Sequence, residues 1–190
     1  GHGDGFVARK LQAGGFDWFG VSNIEEGISL RNEGITKPIL VLGYTPADCV
    51  KIMSDYSITN AIVGMEHAKS LQAAAEAAGV VVEGHIKLDT GMTRVGFQTD
   101  EVNFGQSLAD IIEVSKMPNV KITGIFTHHA VADSYTEDHP DFTKMQFDRF
   151  DKMVSALQEA GVNVGLRHCA NSATTIAYPE RHIDMCRSGI

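Results

Sequence analysis

Short apolar runs alternate with longer amphipathic units along the whole chain, and no hairpin signal joins any two of the runs. That alternation limits the fold more than any other property of the sequence. The runs lie at 16–21, 39–42, 58–63, 80–88, 120–127, 164–169 and 183–187, each rich in Val, Ile, Phe or Leu. Most show little strict in–out alternation, as strands of a parallel sheet covered on both faces do. The units between them predict helices over 7–13, 24–32, 46–54, 66–78, 101–116, 142–160 and 172–177. Their ends carry the right punctuation. Ser22-Asn23 and Thr45-Pro46 stand at starts; Gly34, Gly79 and Gly161 stand just past ends. Such connections build either an open doubly wound sheet or a closed eight-stranded barrel. No Gly-x-Gly-x-x-Gly follows any run, which weighs against a dinucleotide fold. The first helix has no strand before it, and one more strand there would make eight. The expected fold is therefore α/β: a (β/α)8 TIM barrel lacking its first strand, one unit over 1–190.

Composition excludes several functions. The chain has 24 acidic and 16 basic residues, a formal net charge of -8, which argues against binding a nucleic-acid backbone. No window approaches the length of unbroken apolar sequence that spans a bilayer. The three cysteines, Cys49, Cys169 and Cys186, are widely spaced and form no CxxC pair. They predict free thiols in a reducing, cytoplasmic setting rather than a disulfide framework or a zinc site.

In a parallel barrel, chemistry lies where strands end and loops begin. The polar residues there are Lys87, Asp89, Thr90 and Arg94, then His128, His129 and Asp133, then His168, Asn171 and Ser172, and last Arg187, Ser188 and Gly189. The chain is acidic, yet this rim is cationic, which suits a small anionic ligand. Asn171-Ser172 opens a helix, where N–H groups and the positive dipole end face an anion. Gly189, at the next strand end, lets backbone approach closely. The plain alternative is a helix cap and a turn glycine. Lys87 reads as a Schiff-base former of the aldolase kind or as a lysine paired to Asp89 or another carboxylate. Arg187 emerges from an apolar run and needs an acceptor, and Asp184 is one candidate. His128 and His129 are adjacent, so on a strand end they point opposite ways and would rarely share a metal. No metal site is expected.

Several strings taken in order resemble the alanine racemases. They are Gly1-His2-Gly3, Phe19-Gly20-Val21-Ser22, the run His85-Ile86-Lys87-Leu88-Asp89-Thr90-Gly91-Met92-Thr93-Arg94-Val95-Gly96, Phe126-Thr127-His128, Ala170-Asn171-Ser172, and Arg187-Ser188-Gly189-Ile190. Alanine racemases use pyridoxal 5'-phosphate and pair a barrel with a C-terminal β domain. The run through Lys87 and Arg94 is the most specific piece, and Thr93 stands where the family commonly has glycine.

The resemblance implies roles by position. Arg94 would hydrogen-bond the cofactor's phenolic oxygen, and His128 would pack beside its ring. Asn171 and Ser172, with the backbone of Gly189 and Ile190, would hold the phosphate. Arg187 would face the pyridine nitrogen. Lys87 in many members carries a carbamate that sets the arginine at the position of Arg94. The family's Schiff-base lysine would fall before Gly1, and its second base, a tyrosine, would come from the β domain of the partner subunit. The chain is thus expected to be a fragment, inactive alone, of an enzyme that racemises L-alanine to D-alanine for peptidoglycan precursors. The expected partners are a small amino acid, alanine or serine, and a second copy in a homodimer. Two further readings stay open: a membrane-tethered serine racemase of a glycopeptide-resistance system, and a non-catalytic pyridoxal-phosphate homeostasis protein.

Overall fold

The computed structural model describes residues 3–134, 136 and 138–189. The strands are β1 (Phe19–Val21), β2 (Ile39–Val41), β3 (Ile58–Ile62), β4 (Val82–Asp89), β5 (Phe97–Gln98), β6 (Val120–Phe126) and β7 (Leu166–His168). The helices are α1 (Asp4–Ala13), α2 (Ile24–Asn32), α3 (Val50–Asp55), α4 (Met65–Ala78), α5 (Phe104–Val114), α6 (His139–Glu159) and α7 (Ser172–Ala177). Six strands run parallel in the order β1-β2-β3-β4-β6-β7, with β5 pairing only to β4. Among the described residues no ladder joins β1 to β7. The sheet nevertheless curls. The indole of Trp18, just before β1, lies 5.3 Å from the ring of His85 on β4. His85 in turn reaches His168 on β7. Two distant strands meet one residue of a central strand only across a concave face.

The core follows from the apolar runs. Ile39, Val41, Ile62, Ile86, Leu88 and Ile125 come from strands, while Met53, Leu71, Ile111, Phe150, Met153 and Leu157 come from helices. All are almost fully buried. Helix α2 starts where Asn23 caps it, the side chain accepting from Glu26 N at 2.9 Å. Helix α4 ends at Gly79 in the left-handed region (φ 66°), as a C-terminal glycine allows. One irregularity matters later. Between Gly84/His85 on β4 the register with β6 shifts, so Gly84 pairs with Ile122 but His85 pairs with Gly124. Thr123 is the extra residue of a β-bulge.

Two expectations fail, and one strand was not foreseen. The run at 183–187 is not a strand. It follows β7 through two backbone bonds, Asp184 N to Arg167 O and Arg187 N to Ala170 O. The carboxylate of Asp184 takes the N–H of Arg167, where a ladder would use a main-chain carbonyl, and Ile183 lies at φ 48°. The strand β5 went unforeseen because two residues give no period to read. Thr45 does not cap the next helix: its hydroxyl is buried without a partner, and a 3-10 turn, Ala47–Cys49, precedes α3. Among the described residues no helix is long and apolar enough to cross a membrane.

Candidate functional site

The loop after β4 is shaped by one carboxylate. Asp89 Oδ1 accepts from Gly91 N and Thr93 N, both at 3.0 Å. Asp89 is therefore spent on the turn and makes no ion pair with Lys87, so that plain reading of Lys87 falls away. Gly96 (φ 129°) closes the same turn, because any Cβ there would sit 2.7 Å from Lys87 O. Gln146 of α6 ties this loop to the one after β6. Its amide donates to Thr90 Oγ1 (3.1 Å) and His128 O (3.2 Å) and accepts from Ala130 N (3.0 Å). Arg94 is exposed at the end of the loop and lines a cleft with Gly64, Asp89 and Gln98.

Behind that loop sits a cluster of cations with little to neutralise it. Lys87 is 4% exposed, and its Nζ lies 4.9 Å over the ring of Phe126. The Arg187 guanidinium lies over the same ring at 5.5 Å. Arg187 donates to His168 Nδ1 (2.7 Å), Thr127 O (2.7 Å) and Cys169 O (3.2 Å), and no carboxylate among the described residues. Asp184, the expected acceptor, instead forms a bidentate pair with Arg167. Burial, then the charges of Arg187 and Arg94, pull the Lys87 pKa down to about 7, with Asp89 opposing. Burial pulls Arg187 to about 10. Burial, then Arg187, Lys87 and Arg94, pull His128 to about 4. A cation in a half-buried place without a counter-ion is costly unless an anion joins it.

The anion end is built from α7. Asn171 accepts from Thr174 N at 2.9 Å and donates to His129 O at 3.2 Å, so it both caps the helix and binds it to the loop after β6. Ser172 Oγ accepts from Gly189 N at 2.9 Å. Arg187, Ser172 and Gly189 thus belong to one continuous strip. An open hollow borders it, walled by Trp18, Gly20, Leu40 and Leu42 on one side and by Met185, Arg187 and Gly189 on the other. Ile190 and the Gly1-His2 start of the first motif lie outside the described residues.

Sequence reasoning missed several contributors. Phe126, Thr127 and His168 carried no role that the sequence could show, and Gln146 and Trp18 gave no signal. Gln146 lies mid-helix, where only the three-dimensional meeting of two loops reveals it. His85 Nδ1 meets His168 Nε2 at 2.9 Å, with both rings fully buried. His129, the other half of the histidine pair, packs on Phe147 and bonds Thr174 Oγ1 at 2.9 Å. Among the described residues no group of three His, Cys, Asp or Glu could hold a metal.

A family profile described as "Alanine racemase, N-terminal domain" matches residues 1–190, the whole chain. The chain belongs to the alanine racemase family. An alanine racemase of Desulfovibrio desulfuricans is 41% identical over 190 residues, covering 100% of this chain and 49% of that protein. One of Carboxydothermus hydrogenoformans is 40% identical over 190 residues, again covering 100% of this chain and 49% of that protein. A solved alanine racemase of Clostridium difficile 630, in complex with cycloserine, superposes with a TM-score of 0.92 at 37% identity, covering 100% of this chain and 50% of that one. The chain spans about half the length of the relatives it matches. Its curled parallel sheet is that of the family's N-terminal barrel.

The donor set here fits the cofactor that alanine racemases use. Pyridoxal 5'-phosphate carries a phosphate, a phenolic oxygen and a ring nitrogen. The Ser172 hydroxyl, which accepts from Gly189 N and can donate its own proton, offers the anion end, Arg187 offers N–H groups and charge two residues from Gly189, and the cluster around Phe126 has uncancelled positive charge.

Proposed function

We propose that this chain forms the pyridoxal 5'-phosphate-binding barrel of an enzyme that interconverts L- and D-alanine. The observation that carries the proposal is Arg187. It is a half-buried guanidinium bonded to an imidazole and two carbonyls, with no carboxylate, in one strip with Ser172 and Gly189. Ser172, placed by Asn171, would hold the phosphate with the backbone of Gly189 and Ile190. Arg94 would reach the phenolic oxygen from the rim, and His128, held neutral by burial and then by its cationic neighbours, would pack beside the ring.

When bound, the cofactor draws electrons from the substrate's Cα, which makes the Cα proton removable. The chain's own residues set how strongly. An arginine cannot give up its proton, so Arg187 offers the ring nitrogen charge and hydrogen bonds but no proton. A weaker electron sink favours returning the proton to Cα over side reactions. Two acid–base groups, one on each face, then decide handedness. By resemblance, these come from a lysine before Gly1 and a tyrosine of the partner subunit in a homodimer.

Lys87 carries a second part of the proposal. An amine with a pKa of about 7 is neutral about half of the time near pH 7, unlike an ordinary lysine. Its lone pair can attack carbon dioxide: the C–N bond forms, the N–H proton leaves to water, and a carbamate anion remains. That anion would answer the charges of Arg187 and Arg94. Digestion and mass measurement after trapping the carbamate as its ester would show the added carboxyl on Lys87.

The relatives are named alanine racemases, which favours alanine over serine as substrate and favours turnover over mere cofactor storage. D-alanine made this way would enter peptidoglycan precursors. The full-length protein loaded with pyridoxal 5'-phosphate is expected to convert L-alanine to D-alanine, read by an oxidase specific for the D form. Isomerisation of serine alone, or cofactor binding without turnover, would replace the proposal.

A further inference from the structure

We propose that His168 and His85 are positioning residues that hold Arg187 through a one-way chain of hydrogen bonds, so that its charge faces the hollow uncancelled. The inference rests on reading Arg187 as the group beside the cofactor's ring nitrogen. The polarity of the chain is fixed at its arginine end. A guanidinium only donates, so His168 Nδ1, 2.7 Å from Arg187 NH1, must accept. The proton of His168 therefore sits on Nε2 and points to His85 Nδ1 at 2.9 Å. His85 Nδ1 accepts in its turn, which places its proton on Nε2. Both rings are neutral in this arrangement, since a second proton on either would set donor against donor.

The fold is built around this chain. The β-bulge at Thr123 brings Gly124 opposite His85. A Cβ on Gly124 would lie 2.6 Å from the His85 ring, so glycine leaves the slot the imidazole fills. Trp18 closes one side of the His85 ring, and Phe126 stacks on His168 at 4.9 Å, within 5° of parallel. A carboxylate in place of His168 would cancel the guanidinium's charge. A neutral imidazole fixes its direction and leaves the charge intact.

Nitrogen-15 NMR of the full-length protein, labelled at histidine, reads the tautomers with or without cofactor. Both His168 and His85 are expected as Nε2–H forms. A proton on Nδ1 of His168 would overturn the proposal. His168→Phe keeps the stack on Phe126 but removes the acceptor. It is expected to lower kcat roughly tenfold or more while KM for alanine stays within about threefold, and His168→Gln, which can accept and donate, is expected to recover most of that loss. A kcat unchanged in His168→Phe would also overturn it, and if that variant does not fold, the wild-type spectrum decides. Wild-type protein with both Nε2–H tautomers but no racemase activity would sink the functional reading while upholding the chain.

Discussion

Thr93 sits at φ 54°, in the left-handed region, because the Asp89 turn draws its N–H inward. A β-branched residue there is strained by roughly 1–2 kcal/mol, a strain that glycine would not carry. Thr93→Asn tolerates the same backbone and is expected to raise stability by about 0.5–1 kcal/mol, read by urea unfolding. A loss of stability would mean that the threonine methyl packs more than the strain costs. At Arg187 three acceptors are arranged around one planar fork. Arg187→Lys keeps a charge but cannot reach all three, so racemisation by the full-length protein is expected to fall about tenfold or more. An unchanged kcat/KM would show that charge alone suffices.

At the scale of elements, the β-bulge and the Gln146 clamp matter most. Gly124→Ala would push its methyl into the His85 ring and is expected to destabilise by about 1–3 kcal/mol, with a cooperative melt retained. A melt unchanged from wild type would show that the ring moves aside freely. The sequence made α2, α4, α7 and most strands legible, since apolar period, caps and glycines agree there. The stretch after β7 misled because composition cannot show a carboxylate replacing a carbonyl in a ladder, as Asp184 does. The site divides the same way. Ser172 could be read from a helix start, whereas Arg187 and Gly189 were read from the end of a strand that does not form. The partners of Arg187 could not, because His168 and Thr127 are distant in sequence and meet it only through β6 and β7.

The whole molecule carries net negative charge yet encloses unprotonated histidines beside cations. Burial and then Arg187 hold His85 at about 4, and burial, Arg187 and further neighbours hold His129 at about 3. His128 is held at about 4, and His168 lies well below its ordinary value of 6.5. In the unfolded chain these rings take up protons near pH 6.5 while the folded chain does not. Unfolding therefore binds protons, and stability falls as pH drops from about 6.5 towards 4, by up to about 1.4 kcal/mol per pH unit for each fully coupled ring and less for half-buried His128. Asp4, Asp100 and Asp184 add their loss only below the ordinary carboxylate range. Unfolding of the full-length protein at pH 7, 6 and 5 checks this, and a flat profile would contradict it. The extra residue in β6 has a last consequence for how such a gene can vary. Ile122 pairs with Gly84 and Gly124 with His85, so deleting Thr123 would leave the ladder in phase on both sides and remove only the local bend that the bulge imposes. Losing a paired residue farther along the strand would instead slip the register by one and exchange its two faces, so β6 tolerates a deletion at one place and not at the next.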